Sequence, residues 1–232
     1  KIIVTGCGRS GTQFTARLLT LLGIPCSHEK IYTHELYPAQ VDFAKIEKRW
    51  EGWQAEASWL AAPFVFHGGV PDETVVWHQL RDPLKVLRCW HSHRLLTDAL
   101  NAQPQPTGVQ DFVFQHCKGA KEGDDLERCV AYVLGWTKMI LSLQDDWRYR
   151  RFRIERIGGR MFRSLLASSG FDKSLGEIEA ALLQVEGRIG ACQLPHVPEL
   201  TPTAMVKVKG GQELLELYHG LGYSFSFSGR AA

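Results

Sequence analysis

The residues with most chemical content lie close together near the start of the chain. Gly6, Gly8 and Gly11 alternate with Cys7, Arg9 and Ser10, and Thr12 and Gln13 follow. Glycine lets the backbone take unusual torsions and lets a ligand approach it closely. Arg9, Ser10, Thr12 and Gln13 add side-chain donors. Such a set suits the capture of an anion, a phosphate or a sulfate. Further on, His28 and Glu29 offer two general bases side by side. Arg81, within Leu80-Arg81-Asp82-Pro83, offers a planar fork matched to phosphate oxygens.

These residues need elements to hold them. Lys1 to Thr5 is apolar and partly β-branched, as in a buried strand, and Phe14, Leu18, Leu19 and Leu22 then recur at helical spacing. The glycine turn therefore sits at a helix start, where unpaired N–H groups and the helix dipole favour an anion. Gly23-Ile24-Pro25 stops that helix, and Ile24 to Glu29 reads as a second strand. In an open α/β sheet, ligands sit beyond the carboxyl ends of the strands, so His28 and Glu29 share the mouth with the glycine turn. Thr74 to Leu80 is the clearest later strand. Asp82 then suits an N-cap and Pro83 the first helical position.

Elsewhere the pattern predicts a helix over residues 39 to 62, with Trp50, Trp53 and Trp59, and a third strand at Phe64 to His67. Asn101 to Gly108 reads as a Pro-rich linker, Asp111 to Cys117 as a short helix and Asp125 to Trp147 as a long one. Arg148 to Arg163 reads as a basic strand in which Phe152, Ile154 and Ile157 form the apolar side. Leu175 to Val185 and Gln212 to Leu221 are expected helices, with Leu194 to Lys209 irregular between them. One domain is expected over residues 1 to 223, with residues 224 to 232 a frayed tail.

The 232 residues carry a net charge of +2, which gives no footprint for nucleic acid. No apolar run is long enough for a membrane span, and no leader peptide is expected, since Lys1 leads directly into a core strand. The six cysteines form no C-x-x-C pair and no ligand cluster with His, so a metal-free, reduced, cytoplasmic protein is expected.

Two patterns overlap at the glycine turn. Gly6 to Gly11 has the reach of a Walker A loop, but Thr12 occupies the position of its lysine. GCGRSG also matches the dinucleotide fingerprint, and Glu29 lies about 20 residues on, where a ribose-binding acid belongs.

Together the segments resemble the sulfotransferases that use 3′-phosphoadenosine 5′-phosphosulfate (PAPS). Arg9-Ser10-Gly11-Thr12-Gln13 is similar to their 5′-phosphosulfate loop, and Leu80-Arg81-Asp82-Pro83 to their 3′-phosphate site. Ser27-His28-Glu29, Ser58-Trp59, Phe152 to Ile157 and Leu221-Gly222-Tyr223 echo further family segments in the same order. Gln13 replaces a more usual hydroxyl residue. Cys89 stands eight residues after Arg81, where the family commonly has Ser, and Ser92 lies one turn further. Lys207 to Gly211 is the nearest stretch to the family's C-terminal basic loop. The resemblance implies an α/β three-layer sandwich, P-loop-like, with a central parallel sheet of about five strands flanked by helices. It implies cofactor contacts from Gly8, Arg9, Ser10, Gly11, Thr12, Gln13, Arg81 and Cys89. Arg9 and a base, Glu29 ahead of His28, would be catalytic, with 3′,5′-adenosine bisphosphate (PAP) as product. A sulfonucleotide has no γ-phosphate and no magnesium bridge, so a loop without lysine is what it requires. The acceptor is expected to bear a hydroxyl or amine; its identity and the oligomeric state are not encoded. Two rival readings are an NAD(P)-dependent oxidoreductase built on GCGRSG and a silent nucleotide-binding protein of the same fold.

Overall fold

The computed structural model describes residues 1–34, 43–93, 95–96, 107–186 and 199–227. In chain order the elements are β1 (Ile2–Thr5), α1 (Thr12–Leu21), β2 (Cys26–His28), α2 (Phe43–Arg49), β3 (Ala55–Ala57), α3 (Ala61–Phe66), β4 (Val75–Leu80), α4 (Pro83–Ser92), α5 (Thr107–His116), α6 (Asp125–Leu141), β5 (Tyr149–Arg153), α7 (Gly159–Ala167), α8 (Leu175–Glu186), α9 (Pro202–Met205) and α10 (Gly211–Gly220). They divide into two compact units, one of Lys1–Arg81 with Met139–Ala191 and one of Asp82–Lys138 with Cys192–Ala232.

The first unit is built on a five-stranded sheet in the order β2-β3-β1-β4-β5, parallel throughout. Strands buried on both faces read as continuous apolar runs, and Ile2 to Val4 and Val75 to Trp77 do so. Alternation sends Ile2, Val4, Ala55, Ala57, Val75 and Trp77 to one face, where Phe14, Leu18 and Leu19 of α1, Phe162 and Leu166 of α7 and Ile178 and Leu182 of α8 complete the core. Trp77 packs edge-on against Phe152 and Phe162 and donates its indole N–H to Ser169 Oγ at 2.9 Å. The opposite face carries Tyr32, against Trp50 and against Phe64 of α3.

Several expectations change. The stretch Leu194 to Lys209, expected to be irregular, holds the short helix α9, and the helix expected over Asp125 to Trp147 ends at Leu141. The helix expected over residues 39 to 62 is a short α2, a turn at Gly52 with φ +79°, and then β3; residues 39–42 lie outside the described residues. Ala55-Glu56-Ala57 has no strand-forming side chain, and pairing with β1 and β2 overrides its helical preference. Phe64 to His67, expected as a strand, lies in α3 and its end, because Pro63 falls within the helix's first turn, where its missing N–H costs nothing. The basic strand ends at Arg153, then a 3-10 turn (Ile154–Arg156) leads to α7. Of the linker expected over Asn101 to Gly108, residues 101–106 lie outside the described residues while Thr107 and Gly108 open α5; of the tail expected over residues 224 to 232, residues 228–232 lie outside them.

In the second unit, Asp82 caps α4 by accepting the Leu84 N–H at 2.9 Å, with Pro83 at the first position as its sequence predicts. α6 and α10 are joined by a Thr137–Tyr218 hydroxyl contact of 3.0 Å and a Lys138–Glu213 ion pair. Among the described residues no helix is long and apolar enough to cross a membrane.

Candidate anion and acceptor site

The glycine turn joins β1 to α1, and its conformation is locked from below by β4. A Cβ at Gly6 would lie 2.3 Å from the Gln79 carbonyl oxygen, so no other residue fits there. Gly11, at φ +96°, precedes α1 and would collide with Ile154 Cδ1 at 2.6 Å if it carried a Cβ. Gln79 spans the gap between strand and turn. Its amide donates to the Ser10 carbonyl at 2.7 Å, and its oxygen accepts from the Thr15 hydroxyl at 2.5 Å. Sequence reasoning passed over Gln79; the available signal was a polar pair, His78-Gln79, near the end of a strand that is otherwise apolar.

Among the described residues, the non-glycine residues with left-handed backbones are Arg9 at φ 68° and Glu29 at φ 55°. Side chains rarely adopt that region, and it concentrates at functional sites. At Arg9 the turn directs an exposed guanidinium outward, while the buried Ser10 hydroxyl has no hydrogen-bond partner. Arg81 lies beside them and donates to the Arg9 carbonyl at 2.8 Å, so the two strand-to-helix junctions meet.

β2 delivers the bases. His28 Nε2 lies 3.2 Å from the Thr12 hydroxyl and 3.6 Å from Glu29 Oε1. Burial pushes the His28 pKa down, so the imidazole is neutral at pH 7 and the contact with Glu29 is no fixed ion pair. Glu29 is pushed up, first by burial and then by the Glu56 carboxylate, against the pull of Arg9. Glu56, fully buried in β3, is a second residue that sequence reasoning missed. It accepts from Ser27 Oγ, from the Lys30 N–H at 3.1 Å and from the Ile31 N–H at 3.4 Å, which clamps the turn on both sides of His28 and Glu29. Burial also pushes the Glu56 pKa up, while these donors oppose it.

The first unit therefore brings Arg9, Ser10, Gly11, Thr12, His28, Glu29 and Arg81 to the carboxyl ends of its strands, with Gly8 buried in the turn. Gln13 turns instead to the wall of a cleft that His28 also lines. Cys89 lies buried on α4 in the second unit, where Ser92 donates back to its carbonyl at 3.0 Å.

Strand order decides between the two patterns at the turn. A dinucleotide fold sets β2 beside β1, where an acid at its end reaches the ribose. Here β3 lies between them, so β2 stands two strands, roughly 10 Å, from β1. The dinucleotide reading of GCGRSG and Glu29 is corrected on this ground. A sulfotransferase from Alicyclobacillus acidocaldarius superposes over 98% of this chain and 96% of its own, with a TM-score of 0.53 at 13% identity. The fold is that of a sulfotransferase. Mouse sulfotransferase SULT7A1 complexed with PAP is also similar, over 95% of this chain and 88% of its own, with a TM-score of 0.49 and 12% identity. No protein-family model and no curated protein matches the sequence. On the sulfotransferase fold, the expectation of a parallel five-stranded sheet flanked by helices holds.

Proposed function

We propose that the chain moves a sulfuryl group from PAPS to a hydroxyl acceptor. The observation that carries this reading is the partnerless, buried Ser10 hydroxyl in a turn of donors at a helix start, on a sulfotransferase fold. A buried hydroxyl left unpaired costs free energy, and an anion oxygen in the turn would satisfy it. The residues fit a sulfonucleotide: the turn has an arginine, two hydroxyls and free helix-start N–H groups, and Thr12 where a triphosphate needs lysine.

PAPS would bring an activated sulfuryl group. Arg9 and the head of α1 hold its phosphosulfate and stabilise charge on the equatorial and leaving oxygens. Arg81 holds the 3′-phosphate while its bond to the Arg9 carbonyl keeps the two anion sites in register. His28 is already neutral at pH 7 and lines the cleft, so it takes the proton from the acceptor hydroxyl, with Glu29 stabilising the resulting imidazolium. Release of PAP from PAPS over a panel of hydroxyl acceptors tests the reading. His28→Ala and Glu29→Gln are expected to lower turnover roughly 10²–10⁴-fold. Full turnover in both variants would overturn the assignment, and folded protein that binds PAPS without any transfer would favour the silent nucleotide-binding protein.

A further inference from the structure

One stripe of α1 faces away from the anion turn. Gln13, Ala16, Arg17, Thr20 and Leu21 recur at helical spacing and wall a cleft of about 660 Å³, with β2 and Trp53 opposite. That volume lies in the range that encloses a small organic molecule. The cleft and the anion turn share one boundary, because His28 lines the cleft while its Nε2 contacts Thr12 at the head of α1 at 3.2 Å. A hydroxyl placed in the cleft can therefore reach the base where it borders the anion turn.

The lining has a definite character. Among the described lining residues the charged side chains are Arg17 and Lys30, both exposed and both cationic, and none is Asp or Glu. Trp53 is half-buried and supplies aromatic surface, with Lys30 Nζ over its ring at 5.5 Å from the centroid. Leu21, 47% exposed, adds apolar surface. An aromatic face beside two cations and no acid is complementary to a flat ring that carries an anionic group.

We propose that this cleft is the acceptor site, and that the acceptor is a ring-bearing hydroxyl compound with a carboxylate or similar anion. Arg17 and Lys30 receive the anion, Trp53 receives the ring, and the hydroxyl reaches His28. The inference rests on the reading of the chain as a sulfotransferase for its chemistry, but its binding claim stands apart from turnover.

The test is calorimetric titration without nucleotide, using 6-hydroxy-2-naphthoate and the neutral 2-naphthol, which share a ring system and differ in the carboxylate. Wild type is expected to bind the acid at least ten-fold more tightly. Arg17→Gln with Lys30→Gln is expected to abolish that preference, and Trp53→Leu to weaken both compounds alike. The two cations are exposed, so the double variant is expected to melt as wild type does. Equal affinity for acid and neutral compound, or a preference unchanged in the double variant, overturns the inference. Acid binding that depends on Arg17 and Lys30 with no transfer from PAPS would sustain the cleft and sink the sulfotransferase reading. Transfer confined to neutral acceptors and indifferent to Arg17 and Lys30 would do the reverse.

Discussion

Ser10 and His78 are both buried polar residues with an unmet atom, and they predict different behaviour. Removing the Ser10 hydroxyl deletes an unsatisfied group, so Ser10→Ala is expected to hold or raise the free protein's stability by about 1 kcal/mol. The same change should weaken PAP binding several-fold, so PAP should raise the melting temperature of Ser10→Ala less than that of wild type. His78 is fully buried, bonded through Nδ1 to the Tyr149 hydroxyl at 2.7 Å, and its pKa is pushed down to about 3 by burial and then by Arg151. In the unfolded chain it protonates near pH 6.5. Between these values the unfolded state holds the extra proton, so stability falls as pH falls from 6.5 towards 3. At about 1.4 kcal/mol per pH unit, His78 is expected to contribute to acid lability. In urea titrations from pH 7 to pH 4, His78→Gln should flatten the pH dependence; an unchanged slope would refute this role. The anion turn was readable at this scale because glycine, arginine and hydroxyl residues announce themselves locally. Gln79 and Glu56 were not, because their work depends on neighbours distant in the chain.

At the scale of elements, the site hangs on two strands through those side chains. Gln79 of β4 holds the turn and α1 together; Gln79→Leu leaves the Ser10 carbonyl and Thr15 hydroxyl unpaired and should cost about 2–4 kcal/mol in urea titration. Glu56 of β3 clamps the turn that carries His28 and Glu29. Glu56→Ala should lower turnover together with stability, whereas Glu56→Gln, which keeps an acceptor for the two N–H groups, should recover most of both. If Glu56→Gln behaves like Glu56→Ala, the charge matters rather than the clamp. β3 is also where pattern reading failed. Three residues without a β-branched or aromatic side chain pair as a strand only because β1 and β2 flank them. By contrast β1, β4, α1 and the Asp82-Pro83 start of α4 were visible, since each rests on local periodicity or capping.

For the whole molecule, the family resemblance implied a parallel sheet, but not its order. Strand order depends on which edges pair in three dimensions, and it is the order β2-β3-β1-β4-β5 that separates this chain from a dinucleotide fold with the same glycine spacing. The central claim, a sulfonucleotide site at the joined strand-to-helix junctions of β1 and β4, is tested most directly by calorimetric titration of PAP. NAD(H) and NADP(H) are titrated alongside, on wild type and on Arg81→Ala. The account predicts binding of PAP, weakened at least ten-fold, or about 1.4 kcal/mol, in Arg81→Ala, and no binding of the nicotinamide nucleotides. Folded wild-type protein that fails to bind PAP, or that binds it equally well without Arg81, would contradict it.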